Sequence, residues 1–494
     1  LNQETRDYHL IKYSYINSAS KVPTTNKKQT LLFYSAIIII FLQIIFWYIS
    51  RTDSKLITFF FYLILIQFFM LLIYYTWSFF PTEGLFSTPF MLGIGMFLYY
   101  FSIPLELKIK RIDFFTAKVF GNIQLDDVFK TEIFAAGLIA YVAFILGYSL
   151  SNYSNELNKL NKTFIKHSSR QFYIRLGILS SLILIIFYRG EIFSSGMSYK
   201  AAYLIRGSNS IFSFLIKFTI LAFVYGGAFL ISNINKIQKA IGYTLIVLCL
   251  IWGIYAFDKD PMLIAVLGIL SPFLLKKSSN KYSLLKVISG FIIAVLIIPL
   301  FSSIFSLYRA GTIDNILPIL RDRGVYIHFD SAGPFVSIIY CLFESYKKSF
   351  GLSYLDSIVS WIPRFIWENR PIDLSVNFAQ NNIKGWMPGM GLGFSLLAES
   401  YINFGLFGPL VQYLFLGFAW GVLWKALLKL SIADQKQDVK MIYVIFGNYL
   451  LLIMHRAPVS GIVIQIAQFV IPFIVVRSLF NLRRRLAVEG TVAA

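Results

Sequence analysis

The sequence predicts an all-α polytopic membrane protein of about twelve transmembrane helices, with one large, partly helical loop capping the outer face. Three observations carry that expectation. Of 494 residues, 57% are hydrophobic and 14% charged, whereas a soluble domain carries roughly 25% charged residues. The apolar residues gather in runs long enough to cross a bilayer, which leave no polar surface. Lys and Arg collect in the segments between those runs. The formal net charge of +21 does not point to nucleic acid, because the cations are spread between spans rather than along one soluble face. Anionic lipid headgroups or an anionic substrate account for them better.

A polar segment, 1–30, precedes the first run. That run, 31–50, lacks a small-residue cleavage site and reads as a retained helix rather than a signal peptide. Further spans follow near 56–80, 87–105, 132–150, 173–188, 211–232, 240–257, 262–275 and 285–305, which makes nine helices in the 31–305 region. The runs at 87–105 and 262–275 are the shortest on apolar content, and the second also reads as a short or re-entrant piece. The largest connection is 306–404, with helical patterns around 335–347 and 353–361 and Pro/Gly punctuation at 385–393. Spans ten to twelve, near 405–427, 441–456 and 459–480, complete the 405–480 region, and 481–494 is a polar tail.

Orientation follows from the cations at span ends. With the N-terminus inside, Lys27 and Lys28, Lys159 to Arg175, Lys236 and Lys239, Lys276 to Lys286, Lys425 to Lys440 and Arg477 to Arg485 all fall on the inner side, and both termini are cytoplasmic. The outer side is not poor in cations either. It holds Lys108, Arg189, Arg206, Lys259, Arg309, Arg321, Arg323, Arg364, Arg370 and Arg456. Either the topology is wrong or the loop is long enough to escape the charge rule, or the outer face grips something strongly anionic. Arg dominates the later loops, and its fork suits bidentate contact with phosphate.

Several chemistries lack their motifs. There is no phosphate-binding G-x-x-x-x-G-K-[ST] and no dinucleotide-binding G-x-G-x-x-G after a strand. Cys249 lies in an apolar run and Cys341 in a polar segment, so a disulfide is not expected. His9, His167, His328 and His455 are scattered without metal-ligand spacing, and neither metal nor cofactor is expected. Asp258-Lys259-Asp260 has the spacing of a metal-binding D-x-D. Its other reading, a solvated outer turn with Lys259 free to meet phosphate, is the plainer one. Lys217, about two turns into span six, reads as a lysine that snorkels to the outer surface.

Three groups qualify as a general base. His328 and Asp330 in YIHFDSAG would share a face of a strand, or are merely surface polar residues. His455-Arg456 closes span eleven, where it either snorkels or meets a headgroup or substrate. Glu399 stands in the apolar segment that enters span ten. A carboxylate at a membrane edge is costly to keep charged, which suits a base that takes a proton from a hydroxyl; the alternative is a structural pair with an arginine.

IPRFIWENRP at 362–371, followed by GMGLGFSLLAESYINFGLFG at 389–408, resembles the O-antigen and enterobacterial-common-antigen polymerases, the Wzy family. Those proteins carry an I-P-[RS]-x-[LI]-W-x-x-[KR]-P element in a large late periplasmic loop and a Gly-rich element with a Glu before the next span. The resemblance covers the 300–410 region, and the rest of the chain by topology alone. The related O-antigen ligases carry a His in an H-[NS]-x-x-L element; Phe394 and Ser395 stand there instead.

What the resemblance implies is a GT-C-like inner-membrane glycosyltransferase. It would polymerise undecaprenyl-diphosphate-linked oligosaccharide repeat units into O-antigen or capsule-type polysaccharide at the periplasmic face. The lipid-linked oligosaccharide serves as donor and acceptor, membrane lipid surrounds the protein, and a polysaccharide chain-length regulator is a further partner. Arg364, with Arg309, Arg456 and Arg370, would hold the diphosphate, supported by Arg206, Lys259, Arg321 and Arg323. Glu399, His328 or His455 would be the base, and Trp361, Trp367 and Trp386 would stack on sugar or anchor at the interface. A ligase and a transporter of the same lipid-linked sugar are the alternatives.

Overall fold

The computed structural model describes residues 54–83, 87–110, 127–151, 170–195, 210–232, 235–256, 258–274, 332–343, 349–360, 366–382, 393–429 and 436–468, with isolated positions elsewhere. All regular structure among these residues is helical. Eight helices are long and apolar enough to cross a membrane: Leu56–Phe79, Thr88–Lys108, Asp127–Leu150, Tyr173–Phe193, Phe214–Ile231, Lys236–Tyr255, Leu396–Lys429 and Val439–Arg456. They fall on the expected runs. The expected spans at 31–50 and most of 285–305 lie outside the described residues.

In chain order the helices are α1 (Ser54–Glu83), α2 (Thr88–Met96), α3 (Ser102–Lys110), α4 (Asp127–Leu150), α5 (Arg170–Ser195), α6 (Ser210–Ile231), α7 (Lys236–Tyr255) and α8 (Lys259–Leu274). After these come α9 (Ala332–Phe343), α10 (Leu352–Val359), α11 (Leu374–Asn382), α12 (Leu396–Phe404), α13 (Gly408–Lys429), α14 (Lys436–Ile442), α15 (Asn448–Ile453) and α16 (Val459–Gln468). A wide π-turn, Phe97–Phe101, joins α2 to α3 into one rod, and a second, Tyr443–Gly447, joins α14 to α15.

These two π-containing rods form the centre. Their spans are each 89% buried, whereas those of α5 and α7 are 17% and 22% buried and stand at the periphery. α5 presents Ile178, Leu182, Ile186 and Phe187 outward, and α7 presents Ile237, Val247 and Ile251, an apolar exterior suited to lipid. α8 is the shorter exception. Its 16 residues rise about 24 Å at 1.5 Å each, less than the roughly 30 Å hydrocarbon core. This accords with its reading from sequence as a short piece.

Close packing is built on small residues. A Cβ placed on Gly417 would stand 2.0 Å from the Phe144 carbonyl oxygen, and one on Gly147 2.0 Å from that of Leu414. Gly417 and Gly421 form a G-x-x-x-G step on α13 that brings its backbone against α4, the small-residue contact typical of helices in lipid. α6 meets α7 in the same way, through Gly227 and Gly242.

Helix ends that strict alternation assigns to one side do meet. Tyr148 Oη donates to Glu83 Oε1 at 2.8 Å, and Lys425 Nζ to the Ser151 carbonyl at 3.2 Å. At the other end Tyr255 Oη donates to the Phe193 carbonyl at 2.9 Å. Lys217 departs from expectation. Rather than snorkelling, it donates to Gln468 Oε1 at 2.8 Å, a partner ten residues into α16, because an amide inside the bundle satisfies the ammonium at that depth.

The late segment packs onto the bundle, in accord with a helical loop. α9 buries Phe335, Val336, Ile338 and Ile339 against α12 and the central rods. The chain into span ten is not one helix, however. α12 ends at Gly405, whose φ of +58° only glycine adopts freely. A 3-10 turn, Gly405–Phe407, then redirects the chain into α13.

Candidate functional site

Glu399 is fully buried on α12, at the joint between the late segment and the bundle. Local sequence places it there. Ser395 caps α12 by accepting from the Leu397 amide at 3.1 Å, and the Ser395 amide donates to Ser337 Oγ of α9 at 2.8 Å. The carboxylate then collects donors from two other segments. Ser353 Oγ of α10 donates to Oε1 at 2.9 Å, and the Val459 amide donates to Oε2 at 2.6 Å. Val459 begins α16, so Glu399 supplies from a distant helix the cap that an unpaired N-terminal amide needs.

A chain of donors runs toward the carboxylate. The Gly351 amide donates to Asn403 Oδ1 at 2.9 Å, Asn403 Nδ2 to Ser353 Oγ at 2.7 Å, and Ser353 Oγ to Glu399. Asn403 lies four residues after Glu399 on the same helix face, and its amide also donates to the Glu399 carbonyl at 2.9 Å. Asp373 reinforces the joint by accepting from Ser460 Oγ, the residue after Val459, and from the Ser375 amide at 2.8 Å. Tyr354 Oη of α10 donates to Gln412 Oε1 of α13 at 2.7 Å. A carboxylate offers about four acceptor directions, so two remain at Glu399 for a further hydroxyl. Among the described residues its partners are a hydroxyl and a backbone amide rather than an arginine.

The other expected residues fare unevenly. His455 is fully buried rather than set at an outer surface, which corrects the expectation that it meets a headgroup. Its Nδ1 lies 3.2 Å from Tyr100 Oη, its ring runs parallel to Tyr413 at 6.3 Å, and Tyr100 and Tyr413 share a 2.7 Å hydrogen bond. The adjacent 3-10 turn, Met454–Arg456, folds the ring inward toward Gly95, where a Cβ would stand 2.8 Å from His455 Cδ2.

Arg456 is half-buried, three residues before Val459. Tyr449 comes under the charge of Arg456, Asp258 and Asp260 together, so the acidic turn and Arg456 occupy one neighbourhood. Lys259 is only 1% exposed, which corrects the reading of a solvated turn: as the first residue of α8 it is drawn into the α7–α8 junction. No group of three or more His, Cys, Asp or Glu arranged to hold a metal occurs among the described residues. Arg370 is half-buried and Trp367 exposed, joined by a 3.4 Å hydrogen bond from the Arg370 amide to the Trp367 carbonyl. Arg206, Arg309, Arg321, Arg323, Arg364, His328, Trp361 and Trp386 lie outside the described residues.

Reading from sequence missed Ser353, Asn403 and Asp373. The i, i+4 spacing of Asn403 to Glu399 was a usable signal. The contact to Ser353, across 46 positions, had none.

A second polar cluster sits at the opposite end of the bundle. Glu83, half-buried at the end of α1, accepts from Tyr148 and from the Thr88 amide at 2.7 Å, and Thr88 Oγ1 bonds Tyr443 Oη. Burial raises the Glu83 pKa, offset in part by the hydrogen bonds from Thr88 and Tyr148.

Comparison of the chain with protein-family models, with curated proteins and with solved structures finds no match.

Proposed function

We propose that this chain is a membrane glycosyltransferase that polymerises lipid-diphosphate-linked oligosaccharide repeat units, working at the outer face of the bacterial inner membrane. The observation that carries the reading is Glu399, a buried carboxylate with open acceptor directions that ties α10, α12 and α16 together where the late segment meets the bundle. Transfer of a glycan from a polyprenyl diphosphate to a sugar hydroxyl needs a group to take the hydroxyl proton and cations to stabilise the departing diphosphate. Arg456 and Arg370 stand on the segments that flank this carboxylate, and the IPRFIWENRP element contributes Arg364. No nucleotide is required, because the diphosphate is the leaving group.

A transporter of the same lipid-linked sugar is the second reading. One observation favours it: Lys217 bonds Gln468 within the bundle, and an ionisable group at such depth commonly marks a polar path.

Purified protein in vesicles, supplied with a lipid-linked repeat unit, decides between them. The polymerase yields a ladder of products. Single addition to a lipid core acceptor would identify a ligase, and movement of the lipid without new glycosidic bonds a transporter.

A further inference from the structure

The helix α10 is inside out by the standard of a water-soluble protein. Its row of hydroxyls points inward: Ser353 is 5% exposed, Ser357 1% and the capping Ser360 7%. Its aliphatic row points outward: Leu352 is 63% exposed, Leu355 61% and Ile358 63%. At about 100° per residue the two rows lie on opposite faces, so the inversion is a property of the whole helix.

Each inward hydroxyl is satisfied. Ser353 bonds Glu399 and Asn403, Ser357 donates to the Ser353 carbonyl at 2.7 Å, and Ser360 to the Ser357 carbonyl at 2.7 Å. The buried polar face is therefore built in rather than a misplaced surface. The outward face does not end with the helix. Phe350, Leu406 and Phe407, 80%, 63% and 66% exposed, border it. Leu406 and Phe407 lead directly into the outward row of α13, Phe415, Phe418 and Val422, on a helix of a span long and apolar enough to cross the membrane. Water does not tolerate a contiguous apolar surface of this kind on a soluble loop. Hydrocarbon does.

We infer that α10 lies in the outer edge of the bilayer, with Leu352, Leu355 and Ile358 against lipid acyl chains and its serine face turned to the Glu399 joint. Asp356, exposed beside the aliphatic row, marks the headgroup level, as the polar edge of an interfacial helix does. The helix thus forms the wall between the bilayer and the buried carboxylate. It does so whether or not the chain is a polymerase.

Site-directed spin labelling tests this. In a Cys249→Ala, Cys341→Ala background, single cysteines at Leu352, Leu355, Ile358, Asp356 and Phe415 are nitroxide-labelled and the protein is placed in phosphatidylethanolamine–phosphatidylglycerol vesicles. Collision with oxygen, which concentrates in hydrocarbon, is compared with collision with water-soluble nickel-EDDA. The expected result is an oxygen-to-nickel ratio several-fold higher at Leu352, Leu355 and Ile358 than at Asp356, and similar to that at Phe415. Higher nickel collision at the aliphatic row would show that it faces water and overturn the inference. Low collision with both reagents would show that protein covers the face, and would also overturn it; dipolar broadening would then identify a second copy of the chain. Three independent positions keep the outcome readable if one variant fails to fold.

Discussion

The Val459 amide donates to Glu399 Oε2 at 2.6 Å, joining two helices sixty positions apart. One oxygen of this carboxylate caps α16 and the other accepts from α10, so its structural and chemical roles are separable by substitution. Glu399→Gln keeps one acceptor for Val459 and turns a donor toward Ser353, whose hydroxyl also accepts from Asn403. It should fold at a cost of about 1 kcal/mol yet fail to elongate, whereas Glu399→Ala, which leaves the Val459 amide and Ser353 unsatisfied, should lose thermal stability in detergent as well. Ladder formation by the Gln variant at the wild-type rate would restrict Glu399 to the joint.

Arg364→Lys keeps the charge and removes the fork. If the fork stabilises the departing diphosphate, the barrier rises by about 3 kcal/mol, roughly a hundredfold in rate. Lipopolysaccharide gels should then show core plus one repeat and no ladder, with normal protein levels in the membrane. A normal ladder would place the clamp elsewhere among the outer cations.

Turnover should survive EDTA, because arginines neutralise the diphosphate without a divalent ion. Loss of the ladder in EDTA, with recovery on adding magnesium or manganese, would redirect attention to Asp258 and Asp260.

Gly417 has no room for a side chain. Its Cβ would meet the Phe144 carbonyl oxygen at 2.0 Å, whereas one on Gly190 meets nothing within 4 Å. Gly417→Ala should destabilise the protein by about 3 kcal/mol, read as an earlier thermal transition in detergent, and Gly190→Ala should leave it unchanged.

Glu83 supplies a pH dependence. Its folded pKa is raised by burial above the ordinary 4.5, so the folded state holds the proton more tightly than the unfolded state. Its contribution is therefore fully present below pH 4.5 and declines as the pH rises through the elevated value. Thermal stability should fall over that window in the wild type, and Glu83→Gln should flatten the slope.

Spans were legible because twenty-residue apolar runs have few alternatives, and Glu399 was legible because a carboxylate is rare in such surroundings. The facing of α10 was not. LSYLDSIVS shows an amphipathic period, but periodicity tells which residues share a face, not whether that face meets protein or lipid. His455 was misplaced for a related reason. Its position at the end of an apolar run implied the membrane edge, while the terminal 3-10 turn carries it back among Tyr99, Tyr100 and Tyr413.

Each wide turn, Phe97–Phe101 and Tyr443–Gly447, absorbs one residue more than an α-helical path uses. Deleting a residue from either would still leave an uninterrupted helix of nearly the same length. Everything beyond it would be rotated by about 100°, and Tyr100 or His455 would turn away from the other. The length of these rods is thus part of their specificity. Two chains of this architecture that differ by a single gap there would keep the same hydropathy profile while presenting different side chains to the bundle axis, so a gap at these turns carries more weight than a substitution.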